Sequence, residues 1–212
     1  RGREALVIAE SVLAAGPVTV DALMLAAAAR AGTGDAAAAL AALDRARVLA
    51  PLRADVHQKM GDIARALGDK EGAMAAYRHA LELDADFAVV RCQLADLLRE
   101  RGQLREAEHE LVAALEAVPT YADATLALAG IRREGGRAAD ALALLIELLE
   151  RDPYNLAALL ALGETLLAGG RRREAAHAFH RVLRFDPTHV GALYHEGVLL
   201  SEQRRFPDAI ER

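Results

Sequence analysis

The chain has 212 residues, 53% of them hydrophobic and 27% charged, with a net charge of −5. This is the composition of a folded protein without the basic excess that nucleic acid selects. The lone cysteine, Cys92, rules out a disulfide framework and a cysteine-built zinc site. No run approaches the roughly 18 apolar residues of a membrane-spanning helix. Aromatics make up 4% with no Trp, and alanine supplies much of the apolar count, which favours thin helix-on-helix packing over a thick core around a sheet. Lysine occurs only at positions 59 and 70, and the strong Ala and Arg bias points to a GC-rich, bacterial gene.

One spacing organises the chain. Pro17, Pro51, Pro119, Pro153 and Pro187 lie on a 34-residue lattice, Ala85 takes the skipped place, and only Pro207 is off it. Gly34, Gly68, Gly102, Gly136 and Gly170 keep the same spacing, as do Ala5, Ala39, Ala73, Ala107, Ala141, Ala175 and Ala209. A third class is small: Ala27, Gly61, Ala95, Ala129, Gly163 and Gly197. A fourth is large: Leu43, Tyr77, Leu111, Leu145 and Phe179. Each class has a physical reason. The glycine suits a left-handed C-cap between two helices. The small residues let helices approach closely. The large residue, four after the alanine, shares its helical face. Proline ends the second helix.

In chain order, residues 3–15 read as a helix ending at Gly16-Pro17. Each following unit reads as helix, glycine turn, helix and proline turn, in the repeats 20–53, 54–87, 88–121, 122–155 and 156–189. Residues 190–212 hold the first helix of a partial repeat and the start of its second. Both ends fall inside a unit and neither shows a polar capping face. The expectation is a single array over 1–212 that continues in both directions, with Phe206 and Ile210 partly uncovered.

The pattern resembles the tetratricopeptide repeat family, with its W-x2-L-G-x2-Y, A-x3-F and P positions. The unit 54–87 shows Met60-Gly61, Ala73-x3-Tyr77 and Ala80, and the unit 156–189 shows Leu162-Gly163, Ala175-x3-Phe179 and Pro187. The opening Trp is replaced throughout, by Leu23, His57, Arg91, Thr125, Leu159 and Leu193. The resemblance implies an all-α, right-handed α-solenoid whose first helices line a concave groove.

Carried over position by position, the groove falls into two zones. The middle repeats present Gln58, Asp62, Arg65, Cys92, Asp96, Arg99 and Arg133, a polar ladder of mixed sign. The later repeats present Leu126, Leu160, Glu164, Leu167, Tyr194 and Val198, with small Ala127, Gly130 and Ala161 between them. Such a surface suits a helix or extended segment of a partner protein. Against this, the ladder can simply satisfy itself, and flanking repeats can cover the apolar floor. Chaperone-tail clamps of the family use Lys and Asn on first helices at positions where this chain has neither, so that specialisation is not expected.

Catalytic signatures are weak. His177 and His180 share a helical face but lack a third ligand in sequence reach. Cys92 has no histidine nearby by pattern. The glycines before Arg171, Arg172 and Arg173 could cradle a phosphate, but the repeat already accounts for Gly170. These arginines, like Arg204 and Arg205, read as solvated loop edges. The sequence thus leads to a non-catalytic scaffold or adaptor without cofactor or metal, binding a peptide or helix of another protein, with no nucleic-acid partner and no membrane span. The competing expectations are self-assembly into a dimer or filament, and an accessory module positioning a catalytic or export domain elsewhere in a longer protein.

Overall fold

The structure, a computed structural model, describes residues 2–202. Among these it contains helices and no strand: α1 Gly2–Ala15, α2 Val20–Gly32, α3 Ala36–Leu49, α4 Ala54–Ala66, α5 Lys70–Leu83, α6 Ala88–Glu100, α7 Leu104–Ala117, α8 Ala122–Glu134, α9 Ala138–Arg151, α10 Leu156–Ala168, α11 Arg172–Phe185 and α12 Val190–Glu202. Even-numbered helices are the first helices of their units and begin at Val20, Ala54, Ala88, Ala122, Leu156 and Val190, each 34 residues after the last. The predicted second helix of the last unit, with Phe206 and Ile210, lies outside the described residues. Contacts gather the chain into two compact units, Arg1–Arg101 and Gly102–Arg212.

The turn inside each repeat is set by one glycine. Gly34, Gly68, Gly102, Gly136 and Gly170 have φ between 74° and 87°, the left-handed region open to a residue without Cβ. After α2, Gly34 N–H donates to the Ala31 carbonyl and Asp35 N–H to the Arg30 carbonyl, at 3.0 and 2.9 Å. This Schellman closure satisfies carbonyls that the helix end would otherwise orphan. In the first two repeats the residue after the glycine then caps the second helix, Asp35 accepting from Ala38 N–H at 3.0 Å and Asp69 from Gly72 N–H at 2.9 Å, whereas Gln103, Arg137 and Arg171 at the same place make no side-chain cap. In these two repeats one residue finishes one helix and starts the next, which keeps the turn short and the pair antiparallel. Pro51, Pro119, Pro153 and Pro187 fall in the turns between repeats.

Packing follows the small and large classes. Ala39, Ala73, Ala107, Ala141 and Ala175 are fully buried, as are Leu43, Tyr77, Leu111, Leu145 and Phe179. In the first unit Leu23, Ala27, Ala39, Leu43, Ala46, Val56 and Ile63 form one cluster between α2, α3 and α4. In the second, Leu159, Ala175, Phe179, Val182, Ala192 and Leu199 join α10, α11 and α12, and Ala129, Ala141 and Leu145 join α8 and α9. The class members are matched. A Cβ on Gly61 would lie 2.5 Å from the Tyr77 ring, and one on Gly163 would strike the Phe179 ring. Where the small residue is alanine, Ala27 and Ala129, its cluster holds leucine instead, Leu43 and Leu145.

Charge adds links between elements. Glu108 of α7 accepts from Arg132 Nε of α8 at 3.2 Å and from Arg137 Nη1 at 2.9 Å. The Arg137 hydrogen bond, with Arg132 behind it, holds the Glu108 carboxyl below the usual glutamate range against the opposing pull of burial.

Two predictions follow from these contacts. Gly163→Ala should destabilise the chain by about 1–3 kcal/mol by forcing the Phe179 ring aside. In the Phe179→Leu background the same change should be neutral or stabilising, giving a coupling of about 1–2 kcal/mol in a urea-denaturation double-mutant cycle. For Glu108 the folded-state value is depressed, so its contribution is present above the unfolded glutamate value and lost as pH falls through the lower folded one. Glu108→Gln should therefore flatten the melting temperature against pH below about 4.3; an acid slope equal to wild type would assign that loss to other carboxylates.

Candidate functional site

First helices of successive repeats meet at a fixed sequence offset. Within the first unit, Gln93 Nε2 of α6 donates to Asp62 Oδ1 of α4 at 2.8 Å, and Arg65 Nη2 lies 3.5 Å from Asp96 Oδ2. Within the second, Arg133 of α8 is bonded to Glu164 of α10, and Glu164 Oε1 lies 3.4 Å from His195 Nε2 of α12. Each pair is 31 residues apart: one repeat forward and about one helical turn back. The offset places a side chain of one first helix beside its counterpart on the next.

In the first unit this ladder closes on itself. Asp62 also accepts from the Tyr77 hydroxyl at 3.0 Å and from Lys59 Nζ at 3.0 Å. Burial, then the Asp62 carboxylate, raises the Tyr77 pKa, so the phenol remains a donor. Gln58 donates to Gln93 Oε1 at 3.3 Å and is itself buried, so it is enclosed by the ladder instead of presented by it. Arg65 reaches Glu100 as well as Asp96, and Lys70 Nζ is 2.8 Å from Glu100. Cys92 is half-buried on α6, and Arg99 is exposed at its end. Gln58, Asp62, Arg65 and Asp96 are thus drawn into side-chain pairs of their own unit.

The second unit differs. Leu126 packs on the cluster of Ala129, Ala141 and Leu145, and Leu160 and Leu167 on that around Phe179, each remaining half-buried. Val198 is half-buried on α12. Tyr194 is 67% exposed, its ring edge-on to His195 at 5.3 Å. His195 in turn stacks on Phe179, with centroids 4.8 Å apart and planes within 10°. A cavity of about 480 Å³ opens here, lined by Arg133, Glu164, Leu167, Ala168 and His195. A Cβ on Gly130 would meet nothing within 4 Å, so this part of the α8 face is open space. Leu167 and Ala168 supply the cavity's apolar lining, the Arg133–Glu164 ion pair and His195 its polar lining, and the exposed Tyr194 precedes His195 on α12.

His195 is the member of this group that groove-position reasoning undervalued. Its signal was available: Glu164 precedes it by 31 residues, the offset that also relates Asp62 to Gln93. Other candidates resolve differently. His177 and His180 are exposed on α11, and among the described residues no three His, Cys, Asp or Glu side chains gather to hold a metal ion. Arg172 and Arg173 lie in the first turn of α11, which corrects their expected place in a loop. Arg171, the N-cap residue, spends its guanidinium on Glu174, at 2.8 and 2.6 Å. Asn155 caps α10 by accepting from Ala158 N–H at 2.9 Å.

Asp62 is the node of the first ladder. Asp62→Ala should leave the Tyr77 hydroxyl and the Gln93 amide without their acceptor and cost about 1–3 kcal/mol in chemical denaturation. A loss below about 0.5 kcal/mol would show that water replaces the carboxylate.

Family models described as tetratricopeptide repeat match residues 92–155 and 160–211; others of the same description match 132–183 and 54–87. No curated protein matches the chain. Among solved structures, PilW, described as a widely conserved type IV pilus biogenesis factor, superposes with a TM-score of 0.78 at 21% identity, covering 91% of this chain and 89% of its own. A tetratricopeptide repeat protein from Parabacteroides merdae gives 0.79 at 18% identity, covering 91% and 76%. YrrB, described as a tetratricopeptide repeat protein with an unusual peptide-binding site, gives 0.62 at 24% identity, covering 80% and 87%. At such identities the likeness concerns the all-α, solenoid type of fold. With its glycine turns, its matched small and large positions and family models covering more than half its length, the chain belongs to the tetratricopeptide repeat family.

Proposed function

We propose that the chain is a non-catalytic interaction module and that the first-helix face of its second unit receives a segment of a partner protein. One observation carries the reading: the recess lined by Arg133, Glu164, Leu167, Ala168 and His195, on first helices that also carry half-buried Leu160, exposed Tyr194 and the bare Gly130. The first-unit ladder has its polar groups engaged among themselves, so it offers a partner less. In the second unit, apolar side chains stay half-exposed beside an open helix face, the kind of surface that marks recognition. The description of YrrB, with its peptide-binding site, supports an occupant of peptide size.

The chemistry sets roles for each residue. Tyr194 supplies a rigid, amphipathic anchor that loses little conformational freedom on contact. Leu160 and Leu167 take an apolar side chain of the partner. Glu164, already between Arg133 and His195, fixes where a partner's polar group can enter. Any acid meeting Arg133 must compete with it.

Selection of a displayed peptide library against the 212-residue chain tests this. Enriched peptides should share apolar anchors and lose about tenfold or more in affinity on Tyr194→Ala, whose exposed ring costs the fold little. Gly130→Leu is the sharper probe. It should stabilise α8 by up to about 1 kcal/mol through helix propensity while placing a bulky side chain on the open α8 face and abolishing binding. Peptides that bind wild type, Tyr194→Ala and Gly130→Leu alike would place recognition elsewhere.

A further inference from the structure

A second surface lies apart from the first-helix groove. At the end of α3 and in the turns flanking its repeat, Val18, Val48, Leu49 and Leu52 are 42%, 76%, 55% and 80% exposed. Val18, Val48 and Leu49, with Asp44 and Arg45, line a cavity of about 410 Å³. The repeat supplies its own controls. At the place of Val48, later second helices carry Glu82, Glu116, Glu150 and Arg184, all exposed. At the place of Val18 and Leu52, later turns carry Asp86, Thr120, Tyr154 and Thr188. Tyr154, the large one, is met by the ring of Phe185 at 5.3 Å. The place of Leu49 carries Leu83, Ala117, Arg151 and Phe185. The fold therefore accepts charged and polar residues at the places of Val18, Val48 and Leu52, and it is Val48, glutamate or arginine in every later repeat, that the repeat itself does not need. Apolar area of this kind, exposed and contiguous, marks an interface.

We infer that this patch pairs with the same patch of a second copy of the chain, about a two-fold axis. The charges choose that occupant. Asp44 and Arg45 are adjacent and both border the apolar centre. A patch that carries an acid and a base at one edge is its own electrostatic complement when two copies face each other, because a two-fold contact pairs residue i with j and j with i. Arg45 of one copy then meets Asp44 of the other, while the valines and leucines close the middle. An anionic lipid surface would be repelled by Asp44, and a strongly charged partner would leave one of the two unmatched. Within one chain Asp44 is shared with Arg47 at 3.1 Å, an exposed pair that yields readily to a second partner.

Sedimentation equilibrium of the full chain from about 5 to about 200 µM, bracketing micromolar affinity, decides the matter. Wild type should reach the mass of two copies. Val48→Glu with Leu52→Asp, residues that the later repeats hold at those places, should stay at one copy with unchanged helicity and melting. Asp44→Arg should weaken association at least about tenfold, and adding Arg45→Asp should restore it. A wild type that keeps the mass of one copy throughout overturns the proposal, as does a pair that survives Val48→Glu with Leu52→Asp. Failure of the charge exchange to restore association overturns the two-fold pairing.

Discussion

The closest approach between a first helix and its second is the constraint on which the remaining features depend. Where Gly61 faces Tyr77 and Gly163 faces Phe179, a ring occupies the volume that any Cβ would need. Where Ala27 or Ala129 stands there, a leucine shares its cluster. The contact is thus conserved in volume but not in identity, as expected when packing density must stay near that of a crystal. The glycine turn makes the approach reproducible. A positive φ at Gly68 or Gly170 and a Schellman closure fix the angle at which the second helix returns. Within each of the two compact units, first helices of successive repeats accordingly meet at a constant offset.

That register converts sequence into neighbourhood. An offset of 31 residues joins Asp62 to Gln93, Arg65 to Asp96, Arg133 to Glu164 and Glu164 to His195. Whether a rung is filled or open then depends on the two residues placed on it. In the first unit the rungs carry matched donors and acceptors, and the lysine and tyrosine around Asp62 complete the set. In the second, Gly130 offers no side chain, and Arg133, Glu164 and His195 line a recess with Leu167 and Ala168. Salt-bridge energies on exposed rungs are small. Their effect here is to place side chains and to exclude others from the same site.

The fold was legible because its determinants are local or strictly periodic. A residue with φ near +80° has to be glycine, a tight helix pair needs a small residue, and a helix ends before proline, so four position classes suffice to place every described helix. The site was only partly legible. Groove positions place Leu160, Leu167 and Tyr194 on first helices, where the structure has them, but periodicity is blind to pairing. Gln58 belongs to a groove position and is buried all the same, because Gln93 and Asp62 lie over it. His195 reads as an isolated histidine until the offset brings Glu164 beside it and Phe179 beneath it. The run from Arg171 to Arg173 reads as a loop edge because helix boundaries are legible in sequence only to within a residue or two, and no capping side chain marks the start of α11.

Residues that hold the helix pairs together and residues left on exposed first-helix positions are largely distinct, and this separation explains how one fold can carry different surfaces. Ala141, Leu145, Ala175 and Phe179 face their partner helices and are fully buried; a change there is felt as strain or a void. Arg133, Glu164 and His195 stand on rungs, and Gly130 and Tyr194 on the same first helices, where a change alters what the surface can accept while the helix pair keeps its spacing. The outer ends of second helices form a third set. Glu82, Glu116 and Glu150 are solvated there, and Val48 is the departure. Because each helix pair contacts chiefly its neighbours, a residue on a rung or an outer edge can change chemistry without propagating strain through the array. Departures from the repeat at exposed positions are for that reason informative: the fold does not require them, and the same fold demonstrates at the equivalent place of another unit what it would otherwise have tolerated.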